Sequence, residues 1–458
     1  MPTVEGAAQV DIFVTVVCGV LLWRYAKLTV WHPACIIFAA HLYVVTSRLV
    51  QLNLGRHPMR VPDAFSWPVG MDEVVRAGIA SDLALAAMTC AWLISARATS
   101  KTRQKARPGR LHRHGHVLSP TRIRIVAALA FLIGMLGIFT IGRRFETAVF
   151  LDPTAWSTSG YVRATLTWPT WAACLLHYVE GFPVWLTCST AGVFLFVALN
   201  NFSRFSVVLG LLFLIYTRLS LTGARRFPAW FLPAGVALWA LWFPMKYIVE
   251  DVNEGKSFAE MRETVAGYFS NELGSEAGGL DTQFLDMTAS AMTLADLNGR
   301  LFWGATVQPV LVGPIPRALW VDKPRINEYV WEISIPARQM GRSQMTVGLV
   351  GEGYINLRYP GVFILGFAIA YLYSAVYARV IHVEHRSAQR LLYAFLLVSL
   401  LQVYRDGLSS IVWFPLVHAA PISLAALWHW LWPVKLAVRR PHLAAAGLSE
   451  MAAGRLQA

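Results

Sequence analysis

Apolar stretches about twenty residues long recur along most of this chain, and they constrain its fold more than any other feature. "IVAALAFLIGMLGIFTI" (125–141) is typical. A bilayer core takes about 20 consecutive, mostly apolar residues as a helix, because helices satisfy their own backbone hydrogen bonds in lipid. The period-two alternation of a membrane barrel is absent. With 56% hydrophobic residues, only 14% charged and a mean hydropathy of +0.48, lipid is the expected solvent. The expected fold class is therefore all-α and polytopic, one transmembrane domain over residues 1–458. Eleven spans are predicted: 10–23, 33–52, 76–95, 123–141, 164–180, 182–199, 204–221, 229–248, 358–380, 388–404 and 410–432.

Charge sets an expected orientation. Residues 97–124 are crowded with Lys and Arg and contain no acid, so the loop 97–122 is expected on the cytoplasmic side. The same side then receives Arg24, Lys27, Arg218, Arg225, Arg226, Arg379, Arg386, Arg390, Lys435, Arg439 and Arg440, while Arg143 and Arg144 are exceptions. The N-terminus is predicted outside and the C-terminus inside. The leader "MPTVEGAAQVD" lacks the basic region of a cleaved signal peptide. A topology anchor accounts for the densest cluster of the +14 net charge, and without aromatic interleaving nucleic acid is not an expected partner. The five cysteines have no metal-ligand spacing and read as apolar packing.

One loop, 249–357, is too long to be a simple connection. It is expected on the outer face as a cap, acid-rich in its first half and basic in its second. Within it, "FAEMRETVAGYF" and "DTQFLDMTASAMTLAD" carry apolar residues near helical period and are predicted to form short helices over the membrane portion.

The segment "VGPIPRALWVDKPRINEY" (312–329) holds Arg317 directly after Pro314 and Pro316, and Lys323 and Arg325 around Pro324. Proline stiffening presents cations at defined positions, and arginine with lysine beside it suits phosphate recognition. Farther on, "VGLVGEGYINLRYPG" (347–361) supplies Glu352 in a glycine-flanked turn, then Arg358. "QVYRDGLSS" (402–410) adds Arg405 and Asp406 at the mouth of two late spans. Asp296 and Arg300 are further candidates. Each has a plainer reading. Outer arginines, Arg338 and Arg342 among them, also contact lipid headgroups; Glu352 could cap the next helix; Arg405 and Asp406 could be an interfacial pair. The tryptophans fit an interfacial belt, and His177, His418 and His429 read as packed or interfacial.

The "PR-x-x-W-x-x-KP" string, followed by "GE-x-Y-x-N-x-x-x-x-G" and then "YRDGLSS", resembles the bacterial oligosaccharide repeat-unit polymerases, the Wzy-type enzymes of O-antigen and exopolysaccharide synthesis. The similarity covers about 281–415. It departs where the family usually reads "NFG" and this chain has "NLRYPG". The resemblance implies a metal-independent glycosyltransferase of the bacterial inner membrane, with no cofactor. It would move a growing glycan from undecaprenyl diphosphate onto a newly flipped lipid-linked repeat unit, beside a chain-length-regulating co-polymerase and a flippase. A departing diphosphate needs fixed cations, and the acceptor hydroxyl needs a base or hydrogen-bond acceptor. Arg317 and Lys323, with Arg325, are assigned to the donor diphosphate, Arg405 to the second diphosphate or leaving group, and Glu352 to the acceptor hydroxyl. An O-antigen ligase acting on lipid A core would share these features. A transporter would place charge within the spans, where Asp82 is the conspicuous acid, with Glu180 at a span end.

Overall fold

The computed structural model describes residues 3–26, 28–55, 69–105, 118–141, 164–201, 204–224, 226–229, 248, 251, 255–267, 284–312, 315, 319–320, 322, 347–383 and 386–433. Within them the chain is helical, with no strand. The helices are α1 (Val4–Ala26), α2 (Pro33–Asn53), α3 (Met71–Lys105), α4 (Pro120–Ile141), α5 (Trp168–Glu180), α6 (Val184–Asn201), α7 (Arg204–Leu221), α8 (Phe258–Gly267), α9 (Phe284–Asn298), α10 (Val307–Val312), α11 (Gly348–Val380), α12 (Ala388–Asp406), α13 (Ser409–Trp413) and α14 (Ala420–Leu431).

Five of them are long and apolar enough to cross a membrane: α1, α2, Met71–Ala98 of α3, Pro120–Phe139 of α4, and α11. A sixth crossing is available if Ser410–His418 and Ala420–Leu431, bent by 84°, act as one broken span. The predicted spans 164–180, 182–199, 204–221 and 388–404 are also helical. The predicted span 229–248 lies almost wholly outside the described residues. The basic loop begins as a continuation of α3, which stays helical through Lys105.

Local chemistry explains several boundaries. Pro33 opens α2, and the His32 ring accepts the Ala34 N–H at 3.2 Å as its N-cap. Ser387 does the same for α12 by accepting the Arg390 N–H. Gly407, at φ +96°, ends α12 in a conformation that glycine adopts at no steric cost. Midway along α2 a π-turn at Leu42–Thr46 interrupts the α-helical ladder directly after His41.

The bundle packs around α3 and α11, its most extensive helix pair. Gly366 of α11 lets the two backbones close, since a β-carbon there would lie 3.1 Å from the Ala84 carbonyl oxygen. Aromatic edges fill the remaining core, with Trp171 against Phe213, Phe395 and Phe414. Several short connections meet at one end of the bundle. Tyr216 donates to the Val30 carbonyl (3.0 Å), Tyr393 to the Trp31 carbonyl (2.6 Å), and the Trp31 indole to the Ala224 carbonyl (3.0 Å). At this end Arg390, 2% exposed, lies 4.3 Å from the Trp31 ring centroid and donates to the carbonyls closing α11.

Two expectations about the loop 249–357 are revised. Its helices are present at Phe258–Gly267 and Phe284–Asn298, but only α8 has no buried residue. Helix α9 is not a surface layer but largely buried, packed against α3 and α11. The reason is Asp286, fully buried, whose carboxylate takes two hydrogen bonds from Arg48 of α2 at 3.0 and 2.7 Å. Glu352, expected in a turn, belongs to a helix. The turn comes later, at Leu357 (φ −146°, ψ 22°) and Arg358 (φ 58°, ψ −145°), inside "NLRYPG".

Candidate functional site

That turn divides α11 into a short limb, 348–356, and a long one that continues to Val380. The limb folds back on the helix that follows it, and its two glycines permit the approach. A β-carbon on Gly353 would lie 2.8 Å from the Val362 α-carbon, and one on Gly361 would lie 2.1 Å from the Gly353 carbonyl oxygen. Pro360 suits the restart, because a first-turn position needs no N–H partner.

One face of the limb meets the end of α12. Gly348, at φ +67°, sits where a β-carbon would be 3.2 Å from the Arg405 carbonyl oxygen. Four residues on, the Glu352 carboxylate, in a residue 1% exposed, accepts the Leu408 N–H at 2.8 Å. It presses against Gly407, where a β-carbon would be 2.7 Å from its carboxyl carbon. Glu352 therefore caps a helix, but that helix is the distant α13 and not the next one in the chain, as the plainer reading had it. Beside it the Arg405 guanidinium, with its side chain 19% exposed, stands 4.2 Å from the Phe284 ring centroid and 3.3 Å from the Asp406 carboxylate. Asp406 also accepts from the Gln402 amide.

The other face builds a second charged cluster around Asp296. Its carboxylate pairs with Arg76 of α3 at 2.8 Å and with Arg358 at 3.2 Å, and it accepts the Tyr354 hydroxyl at 3.0 Å. Both guanidinium groups lie against the Tyr354 ring, and Arg358 donates to the Ala295 carbonyl. The positive φ at Arg358 aims its side chain back onto α9 in place of continuing the helix. A loop at 299–306 locks the turn. Asn356 accepts from Gly304 N–H (2.7 Å) and donates to Thr306 (2.7 Å), and Trp303, at φ 50°, donates to the Asn356 carbonyl.

The sequence candidates thus divide in four. Glu352, Arg405 and Asp406 come together at the α12–α13 junction. Asp296 and Arg358 come together at the limb's far end. Phe284, beside Arg405, and Asp296 lie at opposite ends of α9, roughly 18 Å apart along its axis. Arg300 joins neither cluster; it is exposed, with its guanidinium near the Phe302 ring. Arg317, Lys323 and Arg325 lie outside the described residues, as do Arg338 and Arg342. Sequence reasoning missed Arg76, Tyr354, Arg48 and Asp286. A signal existed for Arg48, a cation inside a predicted span, which is costly unless paired. Arg76, at the very edge of a predicted span, and Tyr354 carried no such clear mark.

No protein-family model, curated protein or solved structure matches this chain.

Proposed function

We propose that this protein is a membrane glycosyltransferase that polymerises lipid-linked oligosaccharide repeat units on the outer face of the bacterial inner membrane. The observation that carries the reading is the seating of Arg405 at one end of the bundle, partly exposed and braced by Phe284, Asp406 and the Glu352-capped turn. A guanidinium held in this way is pre-organised to meet the charge of a departing diphosphate, a type of contact worth roughly 3–4 kcal/mol in a transition state. Arg317, Lys323 and Arg325 supply the donor diphosphate contacts in this reading, and the cluster of Asp296, Arg358 and Arg76 borders the glycan path. Glu352 positions the Arg405 turn and thereby the acceptor. The long loop faces the periplasm, and a flippase and a chain-length regulator are its working partners.

The deciding experiment is the lipid-linked glycan profile of a deletion strain complemented with Arg405→Ala. Single capped repeat units are expected from both the deletion and the variant. Unattached long polymer in the deletion would instead identify a ligase to lipid A core, and a wild-type length distribution in the variant would remove Arg405 from the site.

A second reading, transport of a lipid-linked glycan or another solute, is favoured by charged groups buried between α1, α2 and α3 beside the π-turn of α2. Reconstituted protein that moves lipid-linked glycan between leaflets without forming a glycosidic bond would establish it.

A further inference from the structure

Asp11 of α1, His41 of α2 and Asp82 of α3 meet in the interior of the bundle, and the glycosyltransferase reading uses none of them. Each offers one ligand atom, and the three atoms lie within 4.8 Å of one another. His41 Nε2 is 2.8 Å from Asp11 Oδ1 and 3.5 Å from Asp82 Oδ1. Asp11 and His41 are 0% exposed and Asp82 6%. Two oxygens of this cluster, Asp11 Oδ2 and Asp82 Oδ1, are buried without a hydrogen-bond partner. Such atoms are costly in an apolar interior, so they point to a ligand that completes the set.

Charge says what kind. Among the described residues neither carboxylate pairs with a lysine or arginine, and the buried Arg48 of α2 pairs instead with Asp286. A dipositive ion cancels two carboxylates and leaves the interior neutral. The imidazole is already oriented for it, since the Tyr404 hydroxyl of α12 lies 2.7 Å from Nδ1. Such an outer partner fixes the ring and leaves Nε2 for the metal. One imidazole nitrogen and two carboxylate oxygens suit zinc and similar first-row ions. Bonds of about 2.0–2.1 Å make tetrahedral edges of roughly 3.3–3.4 Å, within the range spanned by the two contacts of His41.

We infer that Asp11, His41 and Asp82 form a binding site for a divalent transition-metal ion, held between α1, α2 and α3 and oriented by Tyr404. The ion would pin three helices that, among the described residues, share no other ion pair, and Tyr404 connects it to α12 one residue before Arg405. The π-turn directly after His41 provides the irregular backbone often found at such sites. The inference stands whether or not the protein is a glycosyltransferase.

The test uses the full chain, purified, stripped with a chelator, exposed to Zn2+ and desalted. About one zinc per chain by elemental analysis is expected, with a nitrogen- and oxygen-only shell in X-ray absorption. Asp82→Asn and His41→Gln should each weaken binding by at least about 100-fold. Tyr404→Phe, which touches no metal, should weaken it by about 10- to 100-fold. His112, His114 and His116 of the basic loop are an alternative zinc binder, so a variant with all three replaced by Ala should still hold one zinc. If the cluster variants fail to fold, the wild-type and triple-His measurements decide alone. Zinc lost with the triple-His variant, zinc unchanged in Asp82→Asn, or no zinc in the wild type would overturn the site. The last result, with an infrared band of a protonated carboxyl that disappears in Asp82→Asn, would mean that protons alone occupy it.

Discussion

Gly353 and Gly361 touch across the break in α11 so closely that a β-carbon on Gly361 would stand 2.1 Å from the Gly353 carbonyl oxygen. The obstacle is backbone, which cannot rotate away, and the contact holds the short limb that carries Glu352 and Tyr354.

Gly361→Ala should therefore destabilise by at least about 1–3 kcal/mol, the usual cost of overpacking, and should disturb both charged clusters at once. Gly192→Ala is the control, since nothing lies within 4 Å of a β-carbon there. Thermal unfolding in detergent is expected to fall for the first and to stay level or rise for the second. Equal midpoints would mean that the limb does not fold back in this way.

Arg48 and Asp286 form a bidentate pair, 3% and 0% exposed. Breaking a buried pair strands a charge, so Arg48→Ala should cost about 3–5 kcal/mol. Replacing both with apolar residues of similar volume, as in Arg48→Met with Asp286→Leu, should recover most of that loss. A double-mutant cycle on unfolding measures the coupling, and additive effects would show that α9 is not held by this contact.

Glu352 accepts the Leu408 N–H, and a glutamine amide oxygen can do the same. Glu352→Gln should keep the fold and most chain extension, while Glu352→Ala leaves a buried N–H unpaired, at about 1–3 kcal/mol, and loses both. A 10²- to 10⁴-fold fall in turnover of well-folded Glu352→Gln would instead assign it the base role.

In α8, Ser257 N–H donates to the Glu260 carboxylate at 2.6 Å and Glu260 N–H to the Ser257 hydroxyl at 3.4 Å, a capping box. These bonds hold the Glu260 carboxyl below its ordinary 4.5. A lowered folded value means that the stabilisation is complete above the unfolded value and is lost as pH falls through the folded one. Amide-exchange protection across 258–267 should be flat near neutrality and decline below about pH 4.5. In Glu260→Gln that decline should vanish; if it persists, another group is responsible.

The all-helical class of this chain, with helices long and apolar enough to cross a membrane, was determined by its sequence, since the apolar length a bilayer demands is a local property. Local signals likewise marked the α8 and α9 helices, the Arg405–Asp406 pair and the segment around Glu352. The tertiary structure decided that α9 is buried, that α11 breaks at Leu357 and Arg358, and that Glu352 caps a helix more than fifty residues away. It alone united Asp296 with Arg76, and Asp11 with His41 and Asp82. A charge within a span announces that it needs a partner, but spacing along one helix does not say which distant helix provides it. That choice is made by which backbones approach closely, and at Gly353, Gly361 and Gly366 it depended on the absence of a side chain.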